Sequence, residues 1–325
     1  MRTLGSLAAV LANEVGDLDP VGRQRVAHAD ALTLAPHPSR AGAWRPRPCT
    51  NVGSCPAPRT ISTSRWVKAI ALGLALVTGA AHADWNPGSA YDWLQPPEQD
   101  GWDVDDDLII LLADDFASTE PGWLTGIHFW GGWKGDAMGA IEKISVAIHA
   151  NVPAGQDPAL PFAHPGDMLW HRTVDTATYG GVVMQPWGTG VQGWYDPSTV
   201  SPPLPADHTE TWQVNVPLNP ADWFLRSGSA GQPVVYWLSL GIYASTFESF
   251  GWRTSSSHWN APAVQGLWFG PQHGPPHWLQ DLGTPPFARE GLDMAFVLTG
   301  APVPEPATAV LFALGLSALW RRRRG

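Results

Sequence analysis

Residues 84–303 are heavily punctuated: short apolar or alternating runs recur, and glycine or proline breaks nearly every one. Ile144-Ser145-Val146-Ala147-Ile148 alternates large with small side chains, and Thr211-Trp212-Gln213-Val214-Asn215-Val216 alternates polar with apolar. Both have the period of a half-buried strand. Comparable runs occupy 108–112, 127–130, 168–174, 182–185, 234–243, 264–269 and 292–298. Pro153-Ala154-Gly155, His164-Pro165-Gly166, Gly188-Thr189-Gly190 and Gly274-Pro275-Pro276 supply turns between them. With 34 Gly and 32 Pro, the chain offers no convincing helix of three turns here. About nine strands of this kind predict an all-β fold, a two-sheet antiparallel β-sandwich that is jelly-roll-like and protects most of its edges. The absence of an internal repeat argues against a propeller or solenoid.

The strand pattern starts late. Arg65 and Lys68 precede an apolar run from Ala69 to Ala81, which closes on Ala81-His82-Ala83 before Asp84. A basic flank, an apolar stretch and an A-x-A exit predict a secretory signal peptide over 62–83. Residues 1–61 are rich in Arg, Pro and Ala and lack either period, so they read as a disordered leader or a misplaced translation start. Cys49 and Cys55 both precede the expected cleavage. A mature chain from residue 84 would therefore contain no disulfide and no Cys-based metal site.

At the other end, Val303-Pro304-Glu305-Pro306 leads into an apolar segment, Ala307 to Trp320, and then Arg321-Arg322-Arg323-Arg324. At 1.5 Å rise the apolar segment spans only about 21 Å, short of the roughly 30 Å hydrocarbon core. It suits a transient stop better than a permanent transmembrane helix, and the arginines favour the cytoplasmic side. This order of Pro304, Glu305, Pro306, a short hydrophobic helix and an Arg cluster over 304–325 resembles the PEP-CTERM sorting signal. The resemblance implies a Gram-negative exporter, an exosortase-type processing enzyme as partner, and transient membrane association through the tail. It also implies release to the cell surface or extracellular matrix, in the setting of a biofilm or exopolysaccharide.

Between the two terminal signals lie 24 acidic but only six basic side chains, a net charge near −18. Such a surface repels polyanions, so nucleic acid is not an expected partner, while divalent cations are favoured. Leu94-Gln95-Pro96-Pro97, Ala113-Asp114-Asp115-Phe116, Phe129-Trp130-Gly131-Gly132-Trp133, Gly251-Trp252-Arg253-Thr254-Ser255, His258-Trp259 and Asp293-Met294-Ala295-Phe296-Val297 occur in that order. Together they resemble an uncharacterised all-β domain of PEP-CTERM surface proteins with an A-D-D-F strand. That resemblance implies a sandwich over 84–303 and no particular activity.

Two residue sets carry expectations of binding. Asp114 and Asp115 sit between Leu111-Leu112-Ala113 and Phe116, where a bare carboxylate is costly. Asp114 or Asp115 with Asp293, just inside the last strand, is the expected structural calcium site, since calcium takes six to eight oxygen ligands. Asp103-Val104-Asp105-Asp106-Asp107 offers alternate carboxylates of the kind a hard cation such as calcium takes, but lacks an EF-hand's Gly and closing Glu and reads rather as a solvated acidic turn before a strand. Of 19 tryptophans, 16 fall within 84–303. Trp130, Trp133, Trp237 and Trp252 read as core. Trp194, Tyr195 and Trp259 lie in loop-like sequence and are the expected glycan platform, because exposed rings stack on sugar faces. The competing reading has loop tryptophans closing the sandwich ends in place of disulfides.

Catalytic signatures are thin. Prolines between His273 and His277 forbid the helix that would align them, and Ser255-Ser256-Ser257-His258 lacks the G-x-S-x-G context of a nucleophile elbow. The expectation is a secreted, non-enzymatic structural or binding protein. A carbohydrate-binding module and a glycan-active hydrolase with paired carboxylates are the alternatives.

Overall fold

The computed structural model describes residues 85–303 except 108, 200, 246–247, 271–272 and 283–290. The leader, the signal segment and the sorting tail expected from sequence lie outside the described residues.

The described chain folds into two β-sheets. The larger contains β1 (Trp93–Gln95), β2 (Trp102–Asp105), β4 (Gly122–Trp133), β7 (Val183–Tyr195), β8 (Leu204–Pro217), β9 (Phe224–Arg226), β11 (Phe250–Ser255), β14 (Asp293–Met294) and β15 (Phe296–Pro302). The smaller contains β3 (Ile110–Ser118), β5 (Ile141–Val152), β6 (His164–Asp175), β10 (Val234–Ala244), β12 (Val264–Leu267) and β13 (His277–Asp281), in the order β13-β12-β3-β10-β5-β6. The expected sandwich of antiparallel strands is what forms, with one departure: β2 and β7 pair in parallel.

Period-two alternation decides which side chains meet. Leu112 and Phe116 of β3, Ile144, Val146 and Ile148 of β5, and Leu238, Leu240 and Ile242 of β10 bury one face of the smaller sheet. They pack in one core with Ile127, Phe129, Val214, Val216 and Phe296 of the larger sheet. The opposite face of β3 and β10 is also covered, by a second cluster of Leu111, Ala113, Trp237, Val264, Trp268 and Trp278. That is why β3 and β10 read as nearly continuous apolar runs instead of alternating ones. A third cluster, Trp85, Trp130, Ala295 and Val297, covers part of the larger sheet.

In the larger sheet, β4 changes neighbours along its length. It pairs with β15 over Gly122–Phe129 and then with β11 over Gly131–Trp133, while its other edge pairs with β9 and β8. Because β8 pairs with β7, β7 with β2, and β2 with β11, the pairing returns to β4. Glycine is obligatory at this junction, since a Cβ on Gly131 would overlap the Gly251 carbonyl oxygen and the Phe250 ring. A Gly131→Ala chain is expected to lose at least about 3 kcal/mol, as backbone cannot yield as a side chain does. Loss of soluble expression or a sharply lowered urea midpoint would register it.

Candidate functional site

The A-D-D-F segment lies on β3, and alternation sends its two carboxyls to opposite faces. Asp114 shares the face of Leu112 and Phe116, toward the space between the sheets, and Asp115 shares the face of Leu111 and Ala113. Both are fully buried. Asp114 accepts hydrogen bonds from Gln95 Nε2 at 2.9 Å, from the Met294 N–H at 2.6 Å and from the Asp115 N–H at 2.8 Å. Asp293 accepts from the Trp259 N–H at 2.7 Å and lies 3.7 Å from His258 Nδ1. Asp115 accepts from Asn260 Nδ2. The result is a carboxyl knot joining β1, β3, β14 and the 258–260 loop across the two sheets.

The electrostatics of the knot follow from burial. Removal from water pushes Asp115 up to about 8, against the Asn260 amide, with the Asp293 charge adding to the rise. Burial lifts Asp293 to about 6 despite the Trp259 N–H and His258. Burial also holds Asp114 well above the usual carboxylate range, and Asp293 and Asp115 push it further. Asp114 and Asp115 therefore hold protons at neutral pH, whereas Asp293 is mostly ionised there. Sequence reasoning placed Asp114, Asp115 and Asp293 together, and the fold does bring them together. The Asp114 oxygens already accept protein N–H groups, whereas Asp115 Oδ1 is buried with no hydrogen-bond partner among the described residues. Among the described residues, no three His, Cys, Asp or Glu side chains are grouped to hold a metal ion.

A second acidic group closes the end of β2. Burial raises Asp105 to about 7, aided by Asp196 and Asp107 and opposed by Lys134. Burial likewise raises Asp106, with Asp107 and Asp105 adding to it. The sequence reading of this stretch as a solvated turn therefore fails for Asp103 and Asp106, which are 0% and 2% exposed.

Asp103 belongs to the network that sequence reasoning missed. It pairs with Arg253 of β11 through Nε at 2.6 Å and Nη2 at 2.7 Å, in the forked geometry that suits guanidinium to carboxylate. The same carboxylate bonds His208 Nε2 of β8, while Asp207 lies 3.2 Å from His208 Nδ1. Gln192 of β7 joins Arg253 to Thr211, with its Nε2 at 2.5 Å from the Thr211 hydroxyl. Burial works against the charge of His208, yet the hydrogen bond and charge of Asp103 outweigh it and raise His208. These side chains come from β2, β7, β8 and β11, the strands whose pairing closes on itself. Gly132 of β4 lies so near Asp103 and His208 that a Cβ has no room. No local motif announces this group, because each partner stands on a different strand.

The tryptophans divide sharply. None of the sixteen described is exposed; half are buried and half are half-buried. Trp130, Trp133, Trp237 and Trp252 are core, as expected. Trp194 corrects the sequence reading: it is 2% exposed, packs edge-on against His208, and carries Lys134 Nζ 5.5 Å above its ring. It fills the interior beside the Asp103 network and has no free face for a sugar. Tyr195 and Trp259 are half-buried, and Trp259 meets Trp93 edge-to-face at 4.9 Å. Trp85, Trp130 and Trp187 form another contiguous set, with Trp85 stacked on Trp187 at 6.3 Å. A Trp194→Ala chain is expected to lose about 3–5 kcal/mol of stability, whereas Trp259→Ala loses clearly less. Urea unfolding compares them directly.

The architecture defines a two-sheet β module closed by buried tryptophans and carboxyls. The chain belongs to the family described as Domain of unknown function (DUF7901), whose model matches residues 91–299. A PEP-CTERM protein-sorting motif matches residues 302–324. No curated protein and no solved structure matches the chain. The motif marks the chain for exosortase processing and a cell-surface or extracellular destination.

Proposed function

We propose that this is a non-enzymatic structural or binding protein of the surface or matrix of a Gram-negative bacterium, exported by the 62–83 signal segment and working in exopolysaccharide or biofilm. The observation that carries the reading is the junction of fold and address: the last strand, β15, ends at Pro302, and the sorting motif begins there. The interior agrees with a load-resisting module. Its carboxyls, Asp103, Asp114, Asp115 and Asp293, are buried in hydrogen bonds that join strands, not displayed in pairs in an open cleft.

The second reading is glycan binding through the half-buried rings of Trp93 and Trp259, with Tyr195 as a further candidate. Its support is the edge-to-face Trp93–Trp259 pair beside His258, whose side chain is 38% exposed. Affinity electrophoresis of the exported chain through gels holding its own exopolysaccharide tests both. Retardation lost in Trp259→Ala with an unchanged melting temperature favours binding by that ring. Equal migration with and without polysaccharide favours a purely structural role.

A further inference from the structure

Four segments of the larger sheet end at one rim. β4 begins at Gly122, which pairs with Pro302 of β15 on one side and Arg226 of β9 on the other. Trp123 pairs with Ala301 and Leu225. The start of β1 joins them: the Asp92 N–H donates to the Leu298 carbonyl at 2.8 Å, and Arg226 Nη2 meets Asp92 Oδ2 at 2.5 Å. At this rim Tyr91, Leu225 and Val303 are 53%, 49% and 39% exposed. Trp123 and Trp223 are half-buried with ring centroids 6.4 Å apart. Exposed apolar groups gathered with amphipathic rings mark an interaction surface.

The chain itself indicates what covers that rim. Only Pro304, Glu305 and Pro306 separate Val303 from Ala307, the first residue of the apolar tail. Four steps of extended chain reach at most about 14 Å. A headgroup layer occupies roughly 5–7 Å of that. A domain tethered so closely by an inserted tail has little freedom to stand away from the bilayer. Its formal charge is near −18, and although Asp106, Asp114 and Asp115 are buried, most of its surface is still repelled by anionic headgroups. At the rim, Arg226 offsets Asp92, leaving Glu120 as the carboxylate that faces Asp92. Tryptophan and tyrosine are the side chains that settle at headgroup depth.

We propose that this rim, formed by Tyr91, Trp123, Trp223, Leu225 and Val303, rests on the lipid surface while the sorting tail is uncut, and leaves it on processing. The proposal rests on the membrane reading of the tail. Cleavage then frees two contacts at once, since the rim alone is too small an anchor to hold the domain.

The test uses the chain as exported, from residue 84 through its uncut tail and without a cysteine of its own, reconstituted in phosphatidylcholine vesicles, with an environment-sensitive dye on Leu225→Cys. The same dye on Ala137→Cys, past the far end of β4, serves as the control. A blue shift and loss of emission to a nitroxide lipid at position 225, with neither at 137, supports the proposal. A chain that floats with the vesicles while position 225 remains as unquenched as 137 overturns the proposal alone. A chain that fails to float overturns the membrane reading of the tail and the rim contact with it. A response at 225 that requires vesicles carrying the processing enzyme assigns the rim to protein and overturns the lipid contact.

Discussion

Replacing Asp103 with alanine is expected to cost about 3–5 kcal/mol, because it strands a buried guanidinium. In a domain of this size that lowers the thermal midpoint by roughly 10–15 °C. The reason is specific to the site. Asp103 and Arg253 are both 0% exposed, and Asp103 is the carboxylate shared by Arg253 and His208. Removing it leaves two cation-forming groups facing each other without water. The double variant Asp103→Leu with Arg253→Met should recover part of the loss, since the apolar pair carries no desolvation penalty while His208 Nε2 and Gln192 Oε1 still lose these partners. A single Asp103→Ala chain that melts within a degree or two of the parent would contradict this account of the interior.

The second large effect is a dependence of stability on pH that runs opposite to ordinary acid denaturation. Asp115 titrates near 3.8 when unfolded and about 8 when folded, and Asp293 and Asp105 near 6 and 7. Below the unfolded value both states are protonated, and stability is unaffected by these groups. As pH rises the unfolded chain releases its protons first, so stability falls until the folded values are passed. Asp115 alone contributes a loss of about 3 kcal/mol between pH 5.5 and 8. His149 has the opposite sign. Burial lowers it to about 4, so stability falls as pH drops from its unfolded value of 6.5 through 4. Between pH 4 and 6.5 the single imidazole opposes three carboxyls, which outweigh it, so stability is expected to fall from about pH 4 toward pH 8. Thermal melts across pH 4–9 check it, and Asp115→Asn should flatten the alkaline limb. Calcium added at pH 8 is expected to leave the midpoint unchanged. A calcium-dependent rise at that pH would restore the metal reading of Asp114 and Asp293, as the ion would replace the protons.

Much of the architecture was legible because strands leave a local trace. The runs at 144–148, 212–216 and 234–243 all fall within strands, since a buried face imposes its period on a few consecutive residues. β1, β2, β9, β11 and β13 escaped notice. They run three to six residues, and β2, β9 and β11 carry Asp103, Arg226 and Arg253 where an apolar residue was expected. The A-D-D-F carboxyls were recognisable as strained, because an acidic pair inside an apolar strand is costly wherever the strand goes. Their partners were not: alternation sends the pair to opposite faces, and donors from Gln95, Asn260 and Met294 reach one oxygen of each carboxyl.

Composition and local order fixed the all-β class, the strongly acidic surface and the terminal address, each a property of neighbouring residues or of totals. Tertiary structure alone decided that Trp194 is interior and that Asp103, Gln192, His208 and Arg253 form one network. It also decided that the strand leading into the sorting motif ends at an apolar rim. Those facts depend on which strands pair across intervals of many tens of residues, and the energy selecting that pairing comes from burial shared by the whole domain.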